Sequence, residues 1–287
     1  MSDINKKEEN AVGLAVFDTA QFTIDRQLKE KPGNAHSYHY HDSYEIYYLF
    51  SGDRYYFIKD KTYHAKRGSL VLIKPYEIHC ASNFSEEPYE RILISFKKSF
   101  LSELASAFPG VNFFKSFEND VHVVDIPIAE QIFLESLLNS MLEEYKSNSE
   151  SSRCFLKTSL SELLLFSHKR ENAESNEDVY HDAVRKTVSL VAAYINNNYW
   201  EDLSLDSISE RFFISPCYLS RTFKKITGSS FTEYVNGVRI KEARRLLLKG
   251  GLSVSDIAIS VGFKSTTHFG RAFKRIVGVS PLSYRKM

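Results

Sequence analysis

The stretch Ser215-Pro216-Cys217-Tyr218-Leu219-Ser220-Arg221-Thr222-Phe223-Lys224-Lys225-Ile226-Thr227-Gly228 decides how this chain is read, because it returns fifty positions later. The second copy is Ser265-Thr266-Thr267-His268-Phe269-Gly270-Arg271-Ala272-Phe273-Lys274-Arg275-Ile276-Val277-Gly278. Ser, Arg, Phe, Lys, Ile and Gly recur in place, and two copies of one unit carry more weight than either alone. Each copy predicts a capped helix: Ser215 and Ser265 as N-caps, Pro216 at the first helical position, Gly228 and Gly278 as stops. At 3.6 residues per turn, Leu219, Phe223 and Ile226 share one face, with Cys217, Ser220, Arg221 and Lys224 opposite. In the second copy Phe269, Phe273 and Ile276 face Thr267, Gly270, Arg271 and Lys274. An apolar root with small, hydrogen-bonding and cationic residues outside is what a helix inserted into a major groove requires.

Each repeat follows a shorter amphipathic segment and a tight turn, Phe213-Ile214 in the first and Gly262-Phe263 in the second, which is a helix-turn-helix arrangement. A central helix at about 231–248, carrying the basic run Arg239-Ile240-Lys241-Glu242-Ala243-Arg244-Arg245, joins the two units. The net charge of +1 hides an asymmetry. Residues 183–287 hold 17 Lys and Arg against 7 Asp and Glu, a net +10, and the remainder carries −9. A basic half beside an acidic one places a polyanion at one end only.

The C-terminal block resembles the DNA-binding domain of the AraC/XylS family. The resemblance rests on Ser215-Pro216-x-Tyr218-Leu219-Ser220-Arg221-x-Phe223-Lys224-Lys225, Asp256-Ile257-Ala258-x-x-Val261-Gly262-Phe263, Phe269-x-x-Phe273-Lys274 and Gly278-x-Ser280-Pro281-x-x-Tyr284-Arg285. It implies two recognition helices reading successive major-groove segments of a double-stranded operator, within a transcription activator. Base-reading candidates are Cys217, Ser220 and Arg221, then Thr266, Thr267, Gly270 and Arg271. Lys224, Lys225, Lys274 and Arg275 suit phosphates, with Ser215, Pro216 and Ser265 at the helix starts. A homodimer is expected, with RNA polymerase as a further candidate partner.

Residues 21–96 read as short aromatic and β-branched strands punctuated by Gly52, Asp60-Lys61, Gly68 and Pro75, an antiparallel sandwich or small barrel. Within them lies Gly33-x5-His39-x-His41-x3-Glu45-x6-Gly52, followed by Gly68, Pro75, His79 and Asn83. His39, His41 and Glu45 share strand parity. The spacing resembles the two cupin motifs, although Pro75 lies one residue closer to His79 than usual and Tyr76-Glu77-Ile78 replaces the second motif's glycine. His39, His41, Glu45 and His79 are therefore candidates for a divalent first-row metal. Together with Tyr47 and Arg91 they are candidates, ahead of the metal reading, for an organic effector pocket, as the family resemblance implies, with a sugar as one ligand class. A structural role for the histidines is the third reading.

Helical patterns at 128–145 and 155–166 suit either barrel cover or a dimer interface. Residues 1–170 form the expected sensor and dimerisation domain, all-β cupin-like with helices following. The polar segment 171–182 is the expected linker, and 183–287 the all-α double helix-turn-helix domain. Cys80, Cys154 and Cys217 form neither a disulfide framework nor a zinc spacing. No apolar run is long enough to span a membrane, so a reducing cytoplasm is expected. No cofactor is required on this reading and no enzyme activity is expected. A metal-dependent cupin enzyme fused to a DNA-binding module and a constitutive DNA binder without effector remain the alternatives.

Overall fold

The computed structural model describes residues 21–30, 39–83, 86–119, 121–149, 151–170 and 183–286. The expected linker at 171–182 and Gly33 lie outside the described residues. Eight strands follow in order: β1 (Phe22–Lys29), β2 (Tyr44–Ser51), β3 (Arg54–Ile58), β4 (Lys61–Ala65), β5 (Ser69–Ile73), β6 (His79–Asn83), β7 (Tyr89–Phe96) and β8 (Val123–Asp125). They form a five-stranded sheet, β1-β7-β2-β5-β8, and a three-stranded sheet, β4-β3-β6. Every pairing is antiparallel.

Side-chain parity divides each strand between two cores. On β2, Ile46, Tyr48 and Phe50 join a cluster with Leu134, Leu138, Met141, Leu156, Leu160 and Leu163. These leucines lie on α2 (Ile128–Ser147) and α3 (Ser152–Arg170), which cover the outer face of the larger sheet. Tyr47 and Leu49 point the other way and meet Tyr56, Ile58 and Tyr63 between the two sheets. The short helix α1 (Ser102–Ala107) lies in the connection between β7 and β8. Both long helices start and end within a few residues of the apolar patterns that predicted them.

Among the described residues, seven helices make up the C-terminal part, here called the C-terminal half: α4 (Ala183–Asn197), α5 (Leu205–Arg211), α6 (Pro216–Thr227), α7 (Phe231–Lys249), α8 (Val254–Ser260), α9 (Thr266–Val277) and α10 (Pro281–Arg285). This half packs directly on the barrel. Phe57 and Cys80, on the outer face of the smaller sheet, and Ile78 beside it share a core with Val188, Val191, Leu219, Phe223 and Tyr234. The Tyr234 hydroxyl donates to the Lys59 carbonyl at 2.7 Å, and the Arg185 guanidinium stacks 3.7 Å over Tyr55. The second unit has its own core of Ile240, Leu247, Ile257, Val261, Phe269 and Phe273.

The two helix-turn-helix turns solve one backbone problem differently. Phe213 and Gly262 both adopt left-handed φ, +55° and +92°. A Cβ at Gly262 would lie 2.8 Å from the carbonyl oxygens of Tyr199 and Trp200, so only glycine fits. Phe213 is 95% exposed, so its side chain repays none of the strain through packing. Left-handed backbone costs a non-glycine residue roughly 1–2 kcal/mol, and glycine's extra unfolded-state entropy takes back about 0.5–1 kcal/mol. Phe213→Gly should therefore raise unfolding free energy by up to about 1 kcal/mol, whereas Gly262→Ala should lower it. Urea denaturation of the two variants checks the contrast.

Candidate effector site and nucleic-acid interface

Both repeats form the predicted helices. The Ser215 hydroxyl accepts from the Tyr218 N–H at 3.2 Å and the Ser265 hydroxyl from the His268 N–H at 3.4 Å. Gly228 and Gly278 close the helices in left-handed conformation. Leu219, Phe223, Phe269 and Phe273 are fully buried. Ser215, Pro216, Cys217, Ser220, Arg221, Lys224 and Lys225 are exposed along α6, as are Ser265, Thr266, Thr267, Arg271, Lys274 and Arg275 along α9. Gly270 is half-buried, with nothing within 4 Å of where a side chain would begin. The second helix thus offers a gap where the first offers Ser220.

Two placements differ from what helical spacing suggested. Ile276 is only half-buried, because it and Arg275 line a cavity of about 300 Å³ with His39, Tyr40, Ser229, Glu233 and Gly237. Arg275 therefore stands at the barrel-facing side of its helix. The basic run on α7 is largely structural. Arg239 is buried and donates to the carbonyls of Tyr199 at 2.8 Å and Glu201 at 2.7 Å, and Arg244 donates to the Tyr284 hydroxyl at 3.0 Å.

The six effector candidates gather at and behind the barrel mouth. His39 and His41 lie before β2 rather than on one regular strand with Glu45, the arrangement that shared parity suggested. His39 pairs with His79 as an isolated antiparallel bridge, which closes the cluster. His41 Nε2 lies 3.1 Å from Glu45 Oε1 and His79 Nε2 lies 3.3 Å from Glu45 Oε2. The Tyr47 hydroxyl donates to Glu45 at 2.8 Å, and the Arg91 guanidinium sits 4.9 Å over the Tyr47 ring. Burial raises the Glu45 carboxyl, but the adjacent His41 and His79 imidazoles outweigh it and hold it well below the usual carboxylate range. Tyr47 and Tyr56 belong to the packed core between the sheets, and the Tyr48 hydroxyl donates to Glu135 at 2.9 Å, facing α2.

The two inner histidines have defined tautomers. His41 Nδ1 meets the Ser43 carbonyl at 3.0 Å and His79 Nδ1 the Glu77 carbonyl at 2.8 Å. A carbonyl only accepts, so each Nδ1 carries the hydrogen, and in a neutral ring each Nε2 presents a lone pair. Both Nε2 atoms are buried, without a well-formed hydrogen bond, and face a carboxylate. Lone pairs against an anion are repulsive unless a proton or a metal ion lies between them. Donor atoms of His39, His41 and His79 all lie within 4.8 Å of one another. Metal–ligand bonds of about 2.1 Å give neighbouring donors separations of roughly 3.0–3.4 Å. Separations of up to 4.8 Å are wider than that, so an ion would have to draw the rings together; the cluster is a candidate metal site, with backbone carbonyls orienting the imidazoles as they do in metal centres. The sequence supplied these candidate ligands. The Ser43 and Glu77 carbonyls that set the tautomers had no signal there.

The exposed face of α6 predicts two separable effects. Arg221→Ala should relax preference at one operator position by roughly 1–3 kcal/mol, whereas Lys224→Ala should weaken all sites alike and lower the salt slope by about one unit. Binding across a randomised operator library at several salt concentrations reads both. The cysteines give an independent check. Cys217 is exposed, whereas Cys80 is buried against the Ile226 carbonyl, and burial pushes its thiol up to about 12. Iodoacetamide near neutral pH should alkylate Cys217 and spare Cys80, and operator DNA should protect Cys217, as read by peptide mass spectrometry.

Comparison with known proteins agrees with this geometry. Residues 21–164 match the family model described as AraC-like ligand binding domain, and residues 208–287 match the helix-turn-helix domain. The chain is 37% identical over 100 residues to the bifunctional transcriptional activator/DNA repair enzyme AdaA of Bacillus subtilis, covering 35% of this chain and 47% of that protein. The chain thus spans about half the length of that relative. Over 87% of its length it is 27% identical to the HTH-type transcriptional regulator YdiP of Escherichia coli, covering 80% of that protein. Over 88% it is 25% identical to the HTH-type transcriptional activator RhaS of Pectobacterium carotovorum, covering 89% of it. An AraC-like ligand-binding domain followed by a double helix-turn-helix reader places this chain in the AraC family of transcriptional regulators.

Proposed function

We propose that the protein is a sequence-specific DNA-binding activator whose affinity for its operator is set by an effector at the barrel mouth, and that the effector site accepts a divalent first-row transition metal. The supporting observation is the pair of buried Nε2 atoms of His41 and His79, which face the Glu45 carboxylate while their Nδ1–H groups are engaged by the Ser43 and Glu77 carbonyls. His39, His41, His79 and Glu45 would hold the ion, which supplies the positive charge that this donor set lacks. Tyr47 orients Glu45, and the aromatic filling around it favours a small occupant over a sugar. RhaS is by name an activator, which supports that sign of regulation.

A homodimer in the cytoplasm, working with RNA polymerase and without enzymatic turnover, completes this reading. Ile128 and Ile132 on α2, 82% and 78% exposed, support self-association through the helices. Among the described residues no helix is long and apolar enough to cross a membrane.

Protein stripped with chelator and titrated calorimetrically with Ni2+ or Zn2+ should take up about one ion per chain, as one three-histidine, one-carboxylate site demands. His79→Ala should abolish the uptake, and operator binding should change between the stripped and loaded forms. Equal uptake by wild type and His79→Ala would overturn the metal reading.

A further inference from the structure

Arg244, on α7, lies where the barrel meets the reader. Its guanidinium carbon is 4.0 Å from the ring centre of Tyr76, 5.0 Å from that of Tyr284 and 5.7 Å from that of Tyr40. Its Nε donates to the Tyr284 hydroxyl. Tyr40 and Tyr76 belong to the barrel mouth, and Tyr284 to α10, at the end of the second helix-turn-helix unit. One cation therefore joins the sensor, the central helix and the far end of the reader through ring faces, a geometry that attracts guanidinium groups.

The barrel side of this cage is built from the segments that carry the histidines. Tyr40 lies between His39 and His41, and in an extended segment its side chain projects opposite to theirs. The His39 N–H donates to the His79 carbonyl at 3.2 Å and the His79 N–H to the His39 carbonyl at 3.1 Å. The Tyr76 N–H donates to the His41 carbonyl at 2.7 Å. Tyr76 has φ +61°, a left-handed backbone in the stretch where the cupin-like motif would carry glycine. A glycine there would adopt that backbone freely but would leave Arg244 without its nearest ring. Residues 39–41 and 76–79 thus form one hydrogen-bonded unit, with candidate ligands on one side and cage walls on the other.

We infer that Tyr40, Tyr76 and Tyr284 form a clasp on Arg244 that reports occupancy of the His39–His41–Glu45–His79 site to the DNA-binding half. This rests on the reading of that cluster as a metal effector site. An ion that draws the imidazoles together fixes residues 39–41 against the 76–79 turn and sets the spacing of the two barrel tyrosines. Gripped, Arg244 holds the reader on the smaller sheet. Linkage makes the effect reciprocal: loss of the clasp must weaken metal binding by the factor by which metal strengthens docking.

The test uses the full-length, chelator-stripped protein and Ni2+ as the probe. Calorimetry on wild type, Arg244→Ala, Arg244→Lys and Tyr76→Leu reads metal affinity, and alkylation of Cys80, buried at the docking surface, reads docking. Arg244→Ala and Tyr76→Leu should each weaken Ni2+ binding by about five-fold or more, although neither removes a donor atom. Arg244→Lys, which keeps the charge and loses the planar stack, should fall between them and wild type. Ni2+ should slow Cys80 alkylation in wild type and leave it unchanged in Arg244→Ala. Nickel affinities equal to wild type in all three variants, with unchanged circular dichroism, would overturn the clasp and leave the metal site standing. Absence of Ni2+ binding by wild type would overturn the metal reading and the coupling together. In that case faster Cys80 alkylation in Arg244→Ala would still identify the clasp as a docking contact.

Discussion

The arrangement of the whole molecule depends on burial of both faces of the three-stranded sheet β4-β3-β6. Its inner face, with Tyr56, Ile58 and Tyr63, closes the core between the sheets. Its outer side, with Phe57, Cys80 and the adjacent Ile78, is finished only by helices of the reader. Exposing that apolar side would cost roughly 25 cal/mol per Å² of surface returned to water. Docking is therefore a property of the folded chain rather than a loose encounter across a linker. The arrangement at the barrel mouth follows from this contact, because it brings α7 against the segments that carry the histidines.

Within the reader, the duplicated unit is not used symmetrically. Both helices keep an apolar root and a cationic outer face, but the first unit leans on the barrel through Leu219, Phe223 and Tyr234. The second has a core of its own and touches the barrel through Arg244 and the cavity that includes Arg275. Gly270 removes a side chain from the second reading face, and Gly262 is required by two carbonyl oxygens, whereas Phe213 is turned to solvent. Divergence between the copies follows the neighbours that each copy must accommodate.

At the mouth, electrostatics decides what the cluster can hold. A buried carboxylate facing two imidazole lone pairs is unfavourable unless protons or a metal ion neutralise it. Without metal, the His41 ring takes up part of this role: burial lowers its proton affinity, but the Glu45 carboxylate beside it outweighs that, and the net effect is a raised pKa. Proton and metal compete for the same lone pairs, and the backbone carbonyls of Ser43 and Glu77 aim them in either case.

Local pattern by itself determined the parts of this protein. The 3.6-residue spacing of Leu219, Phe223 and Ile226 fixed which face of α6 is buried, and the caps at Ser215 and Gly228 fixed its ends, because capping is satisfied by residues adjacent in sequence. The spacing of His39, His41, Glu45 and His79 likewise named the cluster. Only the tertiary structure decided where these parts meet. The His39–His79 bridge, the tautomers of His41 and His79, the placement of Arg275 and the enclosure of Arg244 all depend on contacts between distant segments. The basic run on α7 illustrates the difference: its charge was legible in the sequence, but Arg239 and Arg244 are occupied by carbonyls and tyrosines that only folding brings beside them.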